Sequence, residues 1–118
     1  MMSLSQKQML FTRNIADLIC FATEKGFGLT LGHAWRSPEE QERLVREGRS
    51  KTFKSQHLNR LAIDFNIFLN GRLCLDWSLI KPLGDYWESL HPSNRWGGDW
   101  NNNELKDGFI DTPHFEML

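Results

Sequence analysis

The segment that most limits how this chain can fold runs from Ser55 to Leu69. Ala62 to Leu69 is an apolar run of strand length, yet it carries a carboxylate, Asp64, between Ile63 and Phe65. Burying a carboxylate is costly unless it is paired or bound to a metal. His57 stands seven residues before Asp64. Side chains alternate faces along a strand, so residues seven apart point opposite ways if the strand is unbroken. For His57 and Asp64 to share a target, the chain must turn between them. Leu58-Asn59-Arg60 supplies a candidate turn, because Asn tolerates left-handed backbone geometry.

The end of the chain supplies further groups of the same kind in Asp111-Thr112-Pro113-His114-Phe115-Glu116. Two imidazoles (His57, His114), one carboxylate (Asp64) and a spare acid match the donor set of a catalytic zinc site, which keeps one coordination position open. Such a zinc lowers the pKa of bound water toward ~7. Asp111 is the expected general base, with Pro113 breaking the strand between it and His114. Glu116 lies two residues after His114, hence on the same strand face. It is the alternative base, or an acceptor that orients an imidazole.

The remaining chain reads as α+β. Leu10, Ile15, Leu18, Ile19 and Ala22 recur at helical spacing, predicting a helix over Ser5–Lys25 stopped by Gly26. Phe27, Leu29 and Leu31 predict a half-buried strand running toward Trp35. Ser37-Pro38-Glu39-Glu40 is a helix start, with Ser as cap and Pro at the first position, and the helix ends near Gly48. Gly48 to Gln56, with Arg49, Lys51 and Lys54, is an exposed basic loop. Asn70-Gly71 is a tight hairpin turn into a strand over Arg72–Leu75. Ile80, Leu83, Trp87 and Leu90 mark another helix, ending at His91-Pro92. A loop-rich stretch leads to a closing strand at His114–Met117. Helices with mostly antiparallel strands in this order place the chain in the α+β class.

At 118 residues, 40% hydrophobic and 25% charged, the chain is expected to form one domain, 1–118, with a single core. A net charge of −1 gives no general affinity for nucleic acid. No apolar run approaches the ~18 residues of a membrane span, and the first residues lack the pattern of a secretory signal. Cys20 and Cys74 form no paired motif and are expected to be free, buried thiols of a reduced compartment. His33 and His91 have no motif partner and are expected to be structural. Asp107 and Glu104 read as solvated charges, Asp99 as a hydrogen-bond acceptor for backbone or a ligand histidine. Trp96 and Trp100 read as core, or as the walls of a cleft.

The ordered set Ser55-x-His57-x6-Asp64, Trp96-Gly97-Gly98-Asp99-Trp100 and Asp111-x-Pro113-His114-Phe115-Glu116 resembles the M15 zinc peptidases. These cut peptidoglycan stem peptides, and the resemblance spans Leu29 to Met117. It departs at one position, where Arg60 stands in place of the family glycine. The resemblance implies a mostly antiparallel sheet flanked by helices, of the kind shared by Hedgehog and DD-peptidases. It implies zinc held by His57, Asp64 and His114, with Asp111 as catalytic acid. It also implies an Arg-Ser-x-x-x-Gln pattern, Arg36-Ser37 and Gln41, in which Arg36 holds an oxyanion or substrate carboxylate. Gln41 and Ser55 would then contact substrate, although a hydroxyl two residues before His57 also suits a turn. The implied activity is that of an L-alanyl-D-glutamate endopeptidase of a phage lysis system. It would be monomeric, without nucleic acid or membrane insertion, made in the cytoplasm and acting on the wall after release. The alternatives are a D-Ala-D-Ala carboxypeptidase or dipeptidase, or a zinc-holding wall-peptide module without catalysis.

Overall fold

Ser3 opens the first helix, its hydroxyl accepting from the Gln6 N–H while the Gln6 side chain accepts from the Ser3 N–H. This reciprocal cap satisfies two of the backbone donors a helix leaves unpaired at its start. The structure, a computed structural model, describes residues 1–50 and 55–118. Helix α1 (Leu4–Glu24) buries Phe11, Ile15, Leu18 and Ala22 along one stripe. It ends before Gly26, whose φ of 90° is the left-handed geometry that glycine accepts without strain.

Strand β1 (Phe27–Leu31) stops short of the expected approach to Trp35. Gly32 N–H still donates to Asp64 O, and Asp64 N–H to His33 O, each at 2.8 Å. The chain then turns away, and the Arg36 N–H instead reaches His57 O at 3.2 Å. Helix α2 (Pro38–Arg46) starts as expected, Ser37 Oγ accepting from the Glu40 N–H, and buries Gln41 and Leu44. The readings made at Lys51 and Lys54 fall outside the described residues.

A 3-10 turn, Gln56–Asn59, delivers His57 and is capped by the Ser55 hydroxyl. The left-handed residue that closes it is Arg60, with φ 58° and ψ 35°, and not Asn59. Strand β2 (Ala62–Leu69) follows, then the Asn70-Gly71 turn with both φ positive, as a two-residue hairpin requires. Strand β3 is only Arg72–Leu73, because Asp76 already caps helix α3 (Trp77–Leu90) by accepting from the Leu79 N–H. A short strand the sequence pattern did not announce, β4 (Asn94–Trp96), pairs with the last strand, β5 (His114–Met117).

The sheet order is β1-β2-β5-β4, with β3 beside β2, and every pairing is antiparallel. Strand parity separates core from site. Ile63, Phe65 and Ile67 join Phe115 and Met117 in the core cluster, with Leu18 of α1 and Ile80, Leu83 and Trp87 of α3. Asp64, His114 and Glu116 occupy the alternate positions of the same two strands, on the other face. Trp87 anchors the core, edge-on to Phe11 at 5.5 Å and to Phe115 at 6.1 Å. Its indole N–H donates to the carbonyls of Arg95 and Glu116. Cys74 is buried, but Cys20 is exposed, because it lies on α1 away from the Leu18–Ala22 stripe. Among the described residues no helix is long and apolar enough to cross a membrane.

Candidate metal centre

Asp64 and His114 are directly opposed across β2 and β5, and cross-strand neighbours have side chains close enough to interact. His114 Nδ1 lies 2.9 Å from Asp64 Oδ1. The turn after Ser55 brings His57 to the same carboxylate, with Nε2 3.3 Å from Asp64 Oδ2. The required turn between His57 and Asp64 therefore forms. One donor atom each from His57, Asp64 and His114 lies within 4.8 Å of the others.

Each imidazole is held from behind. His57 Nδ1 lies 2.8 Å from the carbonyl of Ala34; a carbonyl only accepts, so Nδ1 carries the proton and Nε2 is left for the cluster. His114 Nε2 lies 2.7 Å from Glu116 Oε1, which turns Nδ1 toward Asp64. Anchoring the far nitrogen of a ligating histidine is how metal sites fix tautomer and ring orientation. The residues thus fit a zinc ion: two imidazole nitrogens and a carboxylate converge, each imidazole with its other nitrogen already engaged.

The charge state follows from the same contacts. Burial alone would lower the His114 pKa, but bonds to Asp64 and Glu116 outweigh it and raise the value to about 9. Burial would raise the Asp64 carboxyl, but its bonds to His114 and His57 hold it well below the usual carboxylate range. Asp111 goes the other way. Burial pushes its carboxyl up, Asp64 adds to the rise, and His114, His57 and Arg36 oppose it. The His114 N–H donates to the Asp111 carbonyl, and the Asp111 N–H to the Gly97 carbonyl. A side chain at Gly97 would collide with that Asp111 carbonyl and crowd His114 Cβ. Glycine at this point of Trp96-Gly97-Gly98-Asp99-Trp100 therefore lets β4 approach the Asp111–His114 turn.

Arg36 is buried, with Nη1 donating to Gln41 Oε1 at 2.7 Å and Nη2 3.7 Å from Asp64 Oδ2. Gln41 is 1% exposed, and its amide nitrogen donates to Ser50 Oγ, so it braces Arg36 against the segment after α2. Ser55 Oγ accepts from the His57 N–H at 3.2 Å, which is the turn-stabilising role. The Asp99 carboxylate accepts from the Asn103 and Glu104 N–H groups, the backbone option of the two expected. Trp96 is core, donating to the Thr112 carbonyl, whereas the Trp100 ring lies 5.2 Å from that of His114. His91 Nδ1 accepts from the Ser93 N–H. His33 has a partner that no local pattern announced: its Nδ1 accepts from Arg36 Nη2 at 2.9 Å. The turn that follows β1 brings the two together, three residues apart.

The L-alanyl-D-glutamate peptidase of Listeria phage A118 is 29% identical over 103 residues, covering 85% of this chain and 34% of that protein. The chain thus spans about a third of that relative's length. The crystal structure of the Serratia marcescens L-Ala D-Glu endopeptidase ChiX superposes with a TM-score of 0.65 at 24% identity, over 90% of this chain and 79% of that one. A vancomycin-resistance D,D-pentapeptidase, VanY, solved as a mutant in complex with Zn(II), gives a TM-score of 0.58 at 18% identity, over 91% of this chain and 70% of that one. The fold is therefore the DD-peptidase-like α+β fold. Residues 13–118 match the family described as phage L-alanyl-D-glutamate peptidase, and the chain belongs to that family.

Proposed function

We propose that the chain is a zinc-dependent peptidoglycan peptidase that hydrolyses the L-alanyl-D-glutamyl bond of stem peptides at the bacterial cell wall. The observation that carries this reading is the convergence of His57, Asp64 and His114, each histidine fixed from behind, with the half-buried Asp111 carboxyl in their field. Family membership and the similarity to ChiX support the bond assignment.

His57, Asp64 and His114 would hold the zinc, which supplies a Lewis acid and a water that is acidic near neutral pH. Asp111 acts as general base: burial raises its pKa, bringing it nearer the working pH, where proton transfer is most effective. Among the described residues no side chain hydrogen-bonds its carboxylate, so it is available to take a proton and pass it to the leaving amine. Arg36, braced by Gln41 and His33, offers its guanidinium to oxyanion charge as the carbonyl is attacked. Glu116 keeps the His114 ring aligned, and Ser55 keeps the His57 turn closed. The groups span residues 36 to 114, so the catalytic unit is the 1–118 domain.

Mass spectrometry of purified peptidoglycan after digestion tests the assignment. The expected products are fragments with a new N-terminal D-Glu and L-Ala retained on the glycan side. Release of free D-Ala alone would make the protein a D-Ala-D-Ala carboxypeptidase. Zinc binding and wall-peptide binding without any cleavage would make it a binding module.

A further inference from the structure

His33 is exposed, yet backbone and ring both border the metal centre. Its carbonyl accepts from the Asp64 N–H at 2.8 Å. Its ring stands edge-on to the His57 ring, with centroids 6.3 Å apart. Nδ1 accepts from Arg36 Nη2 at 2.9 Å, and that same Arg36 nitrogen lies 3.7 Å from Asp64 Oδ2. Ring and guanidinium thus stand side by side at the edge of the His57–Asp64 pair.

A guanidinium only donates, so Nδ1 is the acceptor and the ring carries its proton on Nε2. Among the described residues nothing accepts from Nε2. Glu40 lies within electrostatic range of His33, but both its oxygens are taken up by Arg43. What remains is a free N–H on an exposed ring, with a positive charge directly beside it. Hydrogen bonds to ionised acceptors are about twice as strong as neutral ones, so this pair favours an anion.

We infer that His33 Nε2–H, with Arg36 beside it, binds the free carboxylate of the glutamyl residue that adjoins the scissile bond. This rests on the proposed peptidase function and deepens it by naming a residue that reads the substrate. A glutamyl residue within a peptide keeps one carboxyl beyond the one that continues the chain. The alanyl side of the bond offers no charged side chain. One residue of extended chain covers about 3.5 Å, the scale of the contacts that separate His33, Arg36 and Asp64. A carbonyl attacked beside Arg36 therefore leaves the next residue's carboxylate within reach of the His33 ring.

The test compares two synthetic stem peptides, one with the free glutamyl carboxylate and one with that group as its amide. Zinc-loaded wild type, His33→Asn and His33→Gln cut each. Asn puts an oxygen near the place of Nδ1, where it can accept from Arg36, but no donor as far out as Nε2. Gln reaches the place of Nε2 with an NH₂ and leaves the place of Nδ1 empty. Wild type is expected to prefer the free acid about tenfold in kcat/KM, mostly through KM, the effect of one charged hydrogen bond. In His33→Asn that preference collapses toward one. In His33→Gln the preference persists while kcat falls on both stems, because Arg36 has lost its acceptor. Wild type without a preference, an Asn variant that keeps it, or a Gln variant that loses it would overturn the inference while leaving the peptidase reading intact. Wild type that cuts neither stem would overturn the peptidase reading and this inference with it.

Discussion

At the scale of single residues, the two acids near His114 divide by what they touch. Glu116 is committed to His114 Nε2 at 2.7 Å, while among the described residues no side chain hydrogen-bonds the half-buried Asp111 carboxylate. Asp111→Asn keeps the shape but cannot take a proton at neutral pH. It is expected to bind zinc as wild type does while hydrolysis falls by at least ~10²-fold, checked by zinc titration and single-turnover cleavage. Glu116→Gln is expected instead to weaken zinc about 10- to 100-fold and to recover activity at high zinc. The opposite ranking would make Glu116 the base. The His114 imidazole adds a pH signature. Without metal its pKa of about 9 lies above the ordinary 6.5. The stability it contributes is then fully present below pH 6.5 and lost as pH rises through about 9. The metal-free protein should therefore melt lower at pH 9 than at pH 6.5. Zinc needs the unprotonated ring, so binding at pH 7 should release about one proton per ion. A melting temperature flat across that window would contradict the assignment of His114 contacts.

At the scale of elements, the site is built where β2 and β5 run side by side and a 3-10 turn feeds into β2. Much of this was legible. The odd spacing of His57 and Asp64 demanded a turn, and the even spacing of His114 and Glu116 put both on one face. What was not legible depended on contacts that leave no periodic signal. β4 is three residues long and is defined by its pairing with β5, so it leaves no periodic trace. Gln41 sits in a helix pattern that does not say its amide faces Arg36, and His33 meets Arg36 through the irregular turn after β1, which has no periodic signature. Local propensity chose Asn59 for the left-handed position, yet the chain places Arg60 there. The strain of about 1–2 kcal/mol exceeds the roughly 0.5–1 kcal/mol that its exposed cation–π contact with the Trp35 ring returns. Arg60→Gly should accordingly leave stability unchanged or slightly raised, as measured by urea unfolding. Gly97→Ala should do the reverse, forcing apart β4 and the Asp111–His114 turn. Overpacking of this kind costs about 1–3 kcal/mol and should lower zinc affinity as well.

At the scale of the whole molecule, His57, Asp64 and His114 tie together parts of the chain that the hydrophobic core reaches only from the opposite face of the sheet. Phe65, Phe115 and Trp87 hold the core side; on the other side two histidines share one carboxylate. Binding that is confined to the folded state stabilises it, so chelation should lower the melting temperature and re-addition of zinc restore it. The most direct test of the account follows peptidoglycan cleavage by the chelated protein as zinc is titrated back. The account predicts no cleavage without metal and recovery that saturates at one zinc per chain. His57→Ala and His114→Ala should recover little at the same zinc concentration. Full cleavage by the chelated protein, or unchanged zinc stoichiometry and affinity in either variant, would contradict it.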